Sequence, residues 1–241
     1  MISVCIATYN GEKYIREQLM SILPQLSEGD EVVISDDSSS DNTLREIESL
    51  SDKRIRVVSH QHTKHKFTID YSTHNFENAI ANSKGDVIFL ADQDDKWTEN
   101  KVEVMMEALK DADLVMSDCY VTDSDLNITC ESYLSLRPFS SSSIRNLLKS
   151  SFLGSCMAFR REILSRAMPF PEYGVGHDLW LGLVALRYYR VKCVNRPLMY
   201  YRRHDNTVTV SGMQNTTSLS FKIRYRLYVV SSWLKMIFQH K

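Results

Sequence analysis

Several familiar motifs are missing from this 241-residue sequence, and their absence excludes several classes of protein. Neither of the glycine-rich phosphate loops, GxGxxG or GxxxxGKS/T, occurs. The five cysteines form no CxxC pair, which argues against a zinc site or a disulfide framework and indicates free thiols in a reducing compartment. No apolar run reaches the roughly 18–20 residues that a membrane-spanning helix needs.

Charge and the N-terminus exclude two further classes. The formal net charge is −1, so bulk electrostatics do not favour a nucleic-acid partner. Residues 2–7 are already strand-like, with no basic and apolar leader before them, so we expect no secretory signal. A composition of 43% hydrophobic and 24% charged residues is typical of a globular domain. We therefore expect a cytoplasmic protein.

Strand-like and helix-like segments alternate along the first half of the chain. Apolar strands are predicted at residues 3–7, 31–35, 55–59, 87–91 and 113–119, with apolar residues at helical spacing between most of them. This order predicts an α/β fold with a mostly parallel, Rossmann-like sheet, right-handed crossovers and helices on both faces. Sheets of this kind bind ligands at the C-terminal ends of their strands.

Several local predictions can be tested directly. Asn10 is predicted to cap the first helix, and residues 60–73 are predicted to be a polar, basic loop before a helix at 75–83. A helix is expected to open at Trp97, and a strand is expected over residues 152–159. Two further short strands are predicted at residues 191–194 and 199–203.

The most informative stretch follows the strand at residues 87–91. It places Asp92, Asp94 and Asp95 within four positions, although aspartate is a poor strand former and like charges repel. Carboxylates suit Mg²⁺ or Mn²⁺, which often share their ligand shell with a substrate's phosphates. The alternative is an acidic turn that caps the next helix. Asp36 and Asp37 follow the second strand, with the same two interpretations: ligand binding, or capping of the next helix.

Two later segments carry further candidate groups. Asp178 stands at a predicted helix start after His177, where it is either a capping residue or a carboxylate base on a pocket floor. Arg202, Arg203 and His204 follow a predicted strand and form a cationic group, which either neutralises a leaving phosphate or faces water.

The C-terminal tail differs in charge from the rest of the chain. Residues 216–241 contain five basic residues and no acidic one. The pattern predicts a basic amphipathic helix within residues 211–241. Either this helix lies on an anionic membrane surface, which would place the protein peripherally at the inner membrane face, or it packs on the domain. Its apolar residues at helical spacing are Leu219, Ile223, Leu227, Val230, Leu234 and Ile237.

Taken in order, these motifs resemble glycosyltransferase family 2, whose members have the GT-A fold and are common in bacterial polysaccharide assembly. Each motif is weak alone, but the ordered set covers residues 1 to about 210. The set comprises Thr8-Tyr9-Asn10, Asp36-Asp37-Ser38-Ser39-Ser40-Asp41, Asn75-Phe76, Gly85-Asp86, Asp92-Gln93-Asp94-Asp95-Lys96-Trp97 and His177-Asp178-Leu179-Trp180. His177 stands where the family usually has Glu. Rhamnosyltransferase-like members resemble this chain in having His at that position, and the role of His177 stays open.

The resemblance implies a role for each matching residue. Asp178 matches the catalytic base, Asp94 the metal ligand, and Asp92 a residue that contacts the ribose or sugar and also serves at the metal. Tyr201-Arg202-Arg203-His204 resembles a basic motif that lies near the diphosphate in this family. The resemblance therefore implies diphosphate contacts from Arg203 and His204. The remaining nucleotide-binding positions are Thr8, Tyr9, Asn10, Asp36 and Asp37.

The resemblance also implies a domain plan and an activity. Residues 1–210 would form the GT-A domain, with a nucleotide-sugar half (1–119) and an acceptor half (120–210), and the helix of 211–241 would follow. The enzyme would be an inverting hexosyltransferase that uses Mn²⁺ or Mg²⁺ and moves one sugar from a nucleotide-sugar to a glycan or lipid-linked glycan. No Gln-x-x-Arg-Trp motif follows, which argues against a processive synthase. A nucleotidyltransferase and a non-catalytic nucleotide-sugar or carbohydrate-binding module are the alternatives.

Overall fold

A computed structural model describes residues 1–61, 64–203 and 219–239. The strands are β1 (Ile2–Thr8), β2 (Glu31–Asp36), β3 (Ile55–Ser59), β4 (Val87–Asp92), β5 (Lys96–Trp97), β6 (Leu114–Thr122), β7 (Ile128–Cys130), β8 (Met157–Arg160) and β9 (Val191–Arg202). The helices are α1 (Ile15–Ile22), α2 (Thr43–Glu48), α3 (Thr68–Ala81), α4 (Lys101–Ala108), α5 (Tyr133–Leu136), α6 (Ser143–Leu148), α7 (Leu164–Ala167), α8 (His177–Tyr188) and α9 (Leu219–Gln239).

The strands join in a single sheet of order β3-β2-β1-β4-β8-β6-β9-β5, with β7 paired to β6. The four strands from β3 to β4 are parallel, as predicted. β8 runs antiparallel to both β4 and β6, and β5 runs antiparallel to β9. The predicted α/β class with a mostly parallel sheet and flanking helices is confirmed.

The centre of the sheet is buried because its strands are almost wholly apolar. The side chains of β1 and β4, such as Val4, Ile6, Phe89 and Leu90, have no exposed surface. A near-continuous apolar run is typical of a parallel strand that is covered by helices on both faces. Helix α8 is likewise buried along most of its length, and the core is continuous across both halves of the chain.

Several local predictions were wrong. Asn10 does not cap the first helix; it has φ of 49°, and α1 begins later, after Tyr14. The predicted loop at residues 60–73 is shorter because α3 already begins at Thr68. Trp97 opens no helix, because Lys96 and Trp97 pair with Tyr200 and Met199 of β9.

Two predicted strands also have different extents. Residues 154–156 form a 3-10 turn, so the strand predicted over 152–159 is reduced to β8. The two short strands predicted near the end of the domain are one strand, β9, with irregular register beside Ser117 and Asp118 of β6. A break in apolar pattern at Asn195-Arg196-Pro197 therefore marks an irregular pairing and not a chain reversal.

The C-terminal helix is present as predicted, but its apolar residues do not form one surface. Val229 and Met236 are buried in the core, and Tyr225, Trp233 and Ile237 pack against it. Leu227 and Leu234, which belong to the predicted apolar line, instead point outward. Within the described ranges, no helix combines the length and the apolar composition that crossing a bilayer requires.

Candidate active site

The predicted donor-site residues meet at one edge of the sheet. Thr8 of β1 is the register partner of Asp36 in β2, and Ala7 is the partner of Asp92 in β4. The order β2-β1-β4 makes this the point at which the strand order reverses, where open α/β sheets bind ligands. Residues separated by more than 80 positions are therefore neighbours here.

Gln93, which sequence reasoning missed, joins the first loop to the acidic loop. Its Oε1 accepts hydrogen bonds from Thr8 Oγ1 (2.5 Å) and from the backbone N–H of Tyr9 (3.0 Å). Its Nε2 donates to the carbonyl of Tyr9 at 3.1 Å. This amide therefore fixes Tyr9, which is exposed, at the edge of the site. The only sequence signal was one uncharged residue between aspartates.

Asp36 and Asp37 are both buried, and local partners hold their carboxylates. Asp36 accepts from the backbone N–H (3.0 Å) and the hydroxyl (2.5 Å) of Ser39. Asp37 Oδ1 lies 2.9 Å from Nδ1 of His60, a residue that was predicted only as part of a loop. Asn10 also helps to close this turn, because its Oδ1 accepts from the N–H of Ser40 at 2.9 Å. These contacts fit a preformed pocket wall, and the nucleotide-binding roles stay predictions.

The electrostatics of the acidic loop favour the binding of a cation. Burial raises the pKa of Asp92 to about 7, and the nearby carboxylates of Asp94 and Asp178 add to this increase. Asp94 and Asp178 are therefore close enough to disfavour the ionisation of Asp92. Asp94 is half-buried and thus accessible to a ligand. A divalent cation would relieve this repulsion.

Asp95 has a structural role. It is fully buried, and its Oδ1 accepts the backbone N–H of Arg202 at 3.0 Å. Burial first, and the neighbouring carboxylates second, hold its pKa well above the usual range. Asp95 therefore ties the acidic loop to β9.

Arg202 was predicted, with Arg203 and His204, either to neutralise a leaving phosphate or to face water, and it does neither. Its side chain is 4% exposed, so it does not face water. Its guanidinium donates to the carbonyl of Asp94 at 2.7 Å and also to Ser124 and Glu17. With these partners, Arg202 supports the acidic loop from behind and is not free to meet a phosphate.

Arg203 is the member of the basic group that stays near the site surface. It is half-buried, and its Nη1 donates to the hydroxyl of Tyr201 at 3.3 Å. Tyr201 lies close to Asp95 and Asp92, whose charges add to the effect of burial in raising its pKa. Arg203 thus lies beside the acidic loop, where a diphosphate contact is feasible. His204 lies outside the described residues.

Asp178 is positioned by the start of α8. The helix begins at His177 with Gly176 as its N-cap, and Asp178 Oδ1 accepts the N–H of Leu179 at 2.6 Å. Burial raises the pKa of Asp178 to about 6, an increase partly offset by backbone hydrogen bonds and by the charge of Arg137. A carboxylate with this pKa is largely ionised at neutral pH yet basic enough to accept a proton. Arg137 was another residue that sequence reasoning missed.

His177 is buried and stays neutral. Burial lowers its pKa to about 3, and its ring lies 4.1 Å from the ring of Phe76. Among the described residues neither ring nitrogen finds a hydrogen-bond partner. A Cβ on Gly154 would come within 2.5 Å of Nε2, so glycine is required where this ring packs. His177 therefore sets the position of the helix start and supplies no positive charge.

The donor set fits a divalent ion that is shared with a substrate, and not an all-protein metal site. The described part of the chain contains no group of three or more candidate ligands. Asp95 is fully buried and accepts from Arg202 through one oxygen, whereas the side chains of Asp92 and Asp94 are partly exposed. Mg²⁺ and Mn²⁺ are commonly held by one or two carboxylates together with phosphate and water oxygens. The repulsion between these two side chains fits such an ion.

A family model and the related proteins all identify the same family. A model described as Glycosyl transferase family 2 matches residues 3–167. The dTDP-rhamnosyl transferase RfbG of Shigella flexneri is 26% identical over 92% of this chain and 77% of its own length. The UDP-Glc:alpha-D-GlcNAc-diphosphoundecaprenol beta-1,3-glucosyltransferase WfaP of Escherichia coli is 25% identical over 100% of this chain and 97% of its own. Two further relatives are matched over only 40% and 41% of their lengths, so substrates do not transfer by similarity alone.

Solved structures show the same fold. S. aureus TarS 1–349 in complex with UDP-GlcNAc aligns with a TM-score of 0.67 at 17% identity, covering 99% of this chain and 72% of that one. The mannosyltransferase PcManGT of Pyrobaculum calidifontis, in complex with GDP-Man and Mn²⁺, aligns with a TM-score of 0.59 at 23% identity, covering 84% and 56%. The predicted GT-A fold is thereby confirmed.

Proposed function

Because the chain belongs to glycosyl transferase family 2 and is a glycosyltransferase, we propose that it transfers one sugar from a nucleotide-sugar to a hydroxyl of a lipid-linked glycan, with inversion at the anomeric carbon. One observation carries the proposal: the partly exposed carboxylates of Asp92, which ends β4, and Asp94 lie near Asp178, whose pKa burial raises to about 6. Membership of a glycosyltransferase family argues against the nucleotidyltransferase and binding-module alternatives.

On the donor side, the nucleotide would lie along the edge formed by β1, β2 and β4. Thr8, Tyr9, Asn10, Asp36 and Asp37 would contact the base and ribose. Asp92 and Asp94 would hold a divalent ion, Mn²⁺ or Mg²⁺, which when bound would screen the diphosphate. Arg203 and His204 would add positive charge near the departing group. The Mn²⁺ in the PcManGT structure is consistent with this choice of ion.

On the acceptor side, Asp178 would remove the proton from the attacking hydroxyl. The hydroxyl oxygen attacks the anomeric carbon from the face opposite the diphosphate, which leaves with its electron pair. A carboxylate with a raised pKa accepts the proton at neutral pH. A lipid-linked acceptor is supported by the relative WfaP, a glucosyltransferase named for a diphosphoundecaprenol-linked sugar. Such an acceptor would bring the enzyme to the membrane surface.

A donor screen tests this function. Hydrolysis of UDP-, GDP- and dTDP-sugars is measured with and without Mn²⁺, followed by transfer to sugar-diphosphate lipids. We expect one donor to be consumed in a metal-dependent way, and Asp94→Ala to abolish metal-dependent donor binding. Asp86→Ala, which changes an exposed aspartate far from the site, is the matched control. Neither hydrolysis nor metal-dependent binding with any donor would contradict the proposal.

A further inference from the structure

The most exposed large apolar side chains are concentrated on three helices. Among the described residues, every large apolar side chain that is 61% or more exposed belongs to α5, α6 or α9. Burying such groups is favourable, and a cluster of them indicates an interaction site. The side chains are Leu136 (61%), Ile144 (67%), Leu148 (61%), Leu227 (64%) and Phe238 (66%).

Two of these helices are in contact, so their exposed groups adjoin. Arg226 of α9 donates its Nη2 to the carbonyl of Leu148 at the end of α6, at 3.1 Å. Leu227 follows Arg226 directly, and Leu234 continues the outward stripe of α9 at helical spacing. On α6, Ile144 and Leu148 are separated by four residues and share a face. We call the exposed side chains of Ile144, Leu148, Leu227, Leu234 and Phe238 the α6–α9 face.

The charged residues of α6 and α9 have one sign, although Glu172 lies near Lys235 of α9. No Asp or Glu occurs between Glu131 and Glu162, nor anywhere in residues 216–241. An apolar stripe on helices whose own charged residues are all basic is typical of a helix that lies in the headgroup region of an anionic bilayer. The exposed cations that flank the face are Arg145, Lys149, Arg224, Arg226 and Lys235.

The same charges argue against a second copy of this chain as the partner that covers the α6–α9 face. A two-fold interface would place the same patch on both subunits and bring these cations against one another. Like-charge juxtaposition across an interface is costly. Anionic phospholipid headgroups instead supply the complementary charge, and their acyl region accepts the apolar side chains.

The face is connected to the candidate base. Arg137 follows α5, and its positive charge reaches Asp178. Tyr225 lies on the inner side of α9, and the charge of Asp178 adds to the effect of burial in raising its pKa. Asp178 therefore lies within electrostatic range of residues from two of the three helices.

We propose that the α6–α9 face docks the protein on an anionic phospholipid bilayer, so that a membrane-anchored acceptor reaches Asp178 from the lipid surface. Docking itself rests on exposure and charge alone. The orientation of the acceptor rests on the proposed function.

Vesicle flotation of the full chain tests the docking. Vesicles of phosphatidylcholine with phosphatidylglycerol are compared with vesicles of phosphatidylcholine alone. We expect the chain to float with the anionic vesicles only, and the double variant Leu148→Ser/Leu227→Ser to reduce the bound fraction about tenfold. We also expect Arg145→Gln/Lys149→Gln to reduce binding by about fivefold per charge removed and to weaken its salt dependence.

The matched control is Met20→Ser/Ile128→Ser, which removes two exposed apolar side chains (58% and 43%) on other elements. It should bind vesicles like the unchanged chain. Equal binding to neutral vesicles, equal losses in the control, or a dimer in solution that Leu148→Ser/Leu227→Ser dissociates would overturn the proposal. Donor hydrolysis without vesicles should be the same in all these variants. Vesicle binding by a chain that hydrolyses no donor would leave docking intact while removing the proposed function.

Discussion

At the residue scale, burial and neighbouring charges set the pKa values of a few carboxylates on which the proposed chemistry depends. Asp178 is distant in sequence from Asp92 and Asp94, yet Asp94 and Asp178 both disfavour the ionisation of Asp92, and burial raises the pKa of Asp92 and of Asp178. Perturbed pKa values of this kind are common at functional sites. The sequence alone predicted that these residues matter, but it carried no information about which were buried.

The first prediction concerns pH. The base acts in its ionised form, and burial raises the pKa of Asp178 to about 6. The transfer rate should therefore reach its maximum above pH 7 and fall about tenfold per pH unit below pH 6. The rate is measured at saturating donor and Mn²⁺, because a bound cation lowers the pKa of neighbouring carboxylates. A flat profile between pH 5 and 7 would argue against Asp178 as the base.

The second prediction concerns Gly154. A Cβ at this position would lie 2.5 Å from Nε2 of His177, which starts the helix that carries Asp178. Gly154→Ala should therefore displace the base and lower the transfer rate about tenfold or more, since small misplacements are costly in catalysis. Gly29→Ala, where a Cβ would meet nothing within 4 Å, is the control. Steady-state rates are compared, with thermal unfolding measured in parallel.

At the element scale, β9 supports the acidic loop through its pairing with β5. The pairing of β5 with β9 brings Arg202 behind Asp94 and Asp95. Sequence reasoning treated Arg202 and Arg203 as one cationic group, although consecutive strand residues point to opposite faces. The roles of Arg202 and Arg203 could be separated only once the buried face of β9 was known.

The third prediction tests this support. Arg202→Met should lower the free energy of unfolding by about 2–4 kcal/mol, because buried carbonyls and Glu17 would lose their donor. The exposed pair between Arg16 and Glu46 offers a control. Arg16→Met should cost less than about 1 kcal/mol. Urea denaturation of both variants measures the difference, and equal losses would contradict the structural role of Arg202.

At the scale of the whole molecule, the parallel half of the sheet was predictable and the antiparallel strands were not. Alternating strands and helices require a parallel sheet, whose C-terminal ends share an edge, so Thr8, Asp36 and Asp92 could be grouped in advance. The apolar segment containing β8 carries no signal of its direction, and its antiparallel insertion between β4 and β6 was missed. The C-terminal helix was predicted, but which of its apolar residues point outward depends on where the core lies.

The central claim is that Asp178 is the base of a sugar transfer whose donor lies at the edge of β1, β2 and β4. The most direct measurement combines donor affinity, by calorimetry with Mn²⁺, and the single-turnover transfer rate for Asp178→Asn. The asparagine is nearly isosteric but cannot accept the proton. We expect donor affinity to stay unchanged and the transfer rate to fall about 10²- to 10⁴-fold, the usual contribution of a general base. Transfer at the original rate, or loss of donor binding together with transfer, would contradict the account.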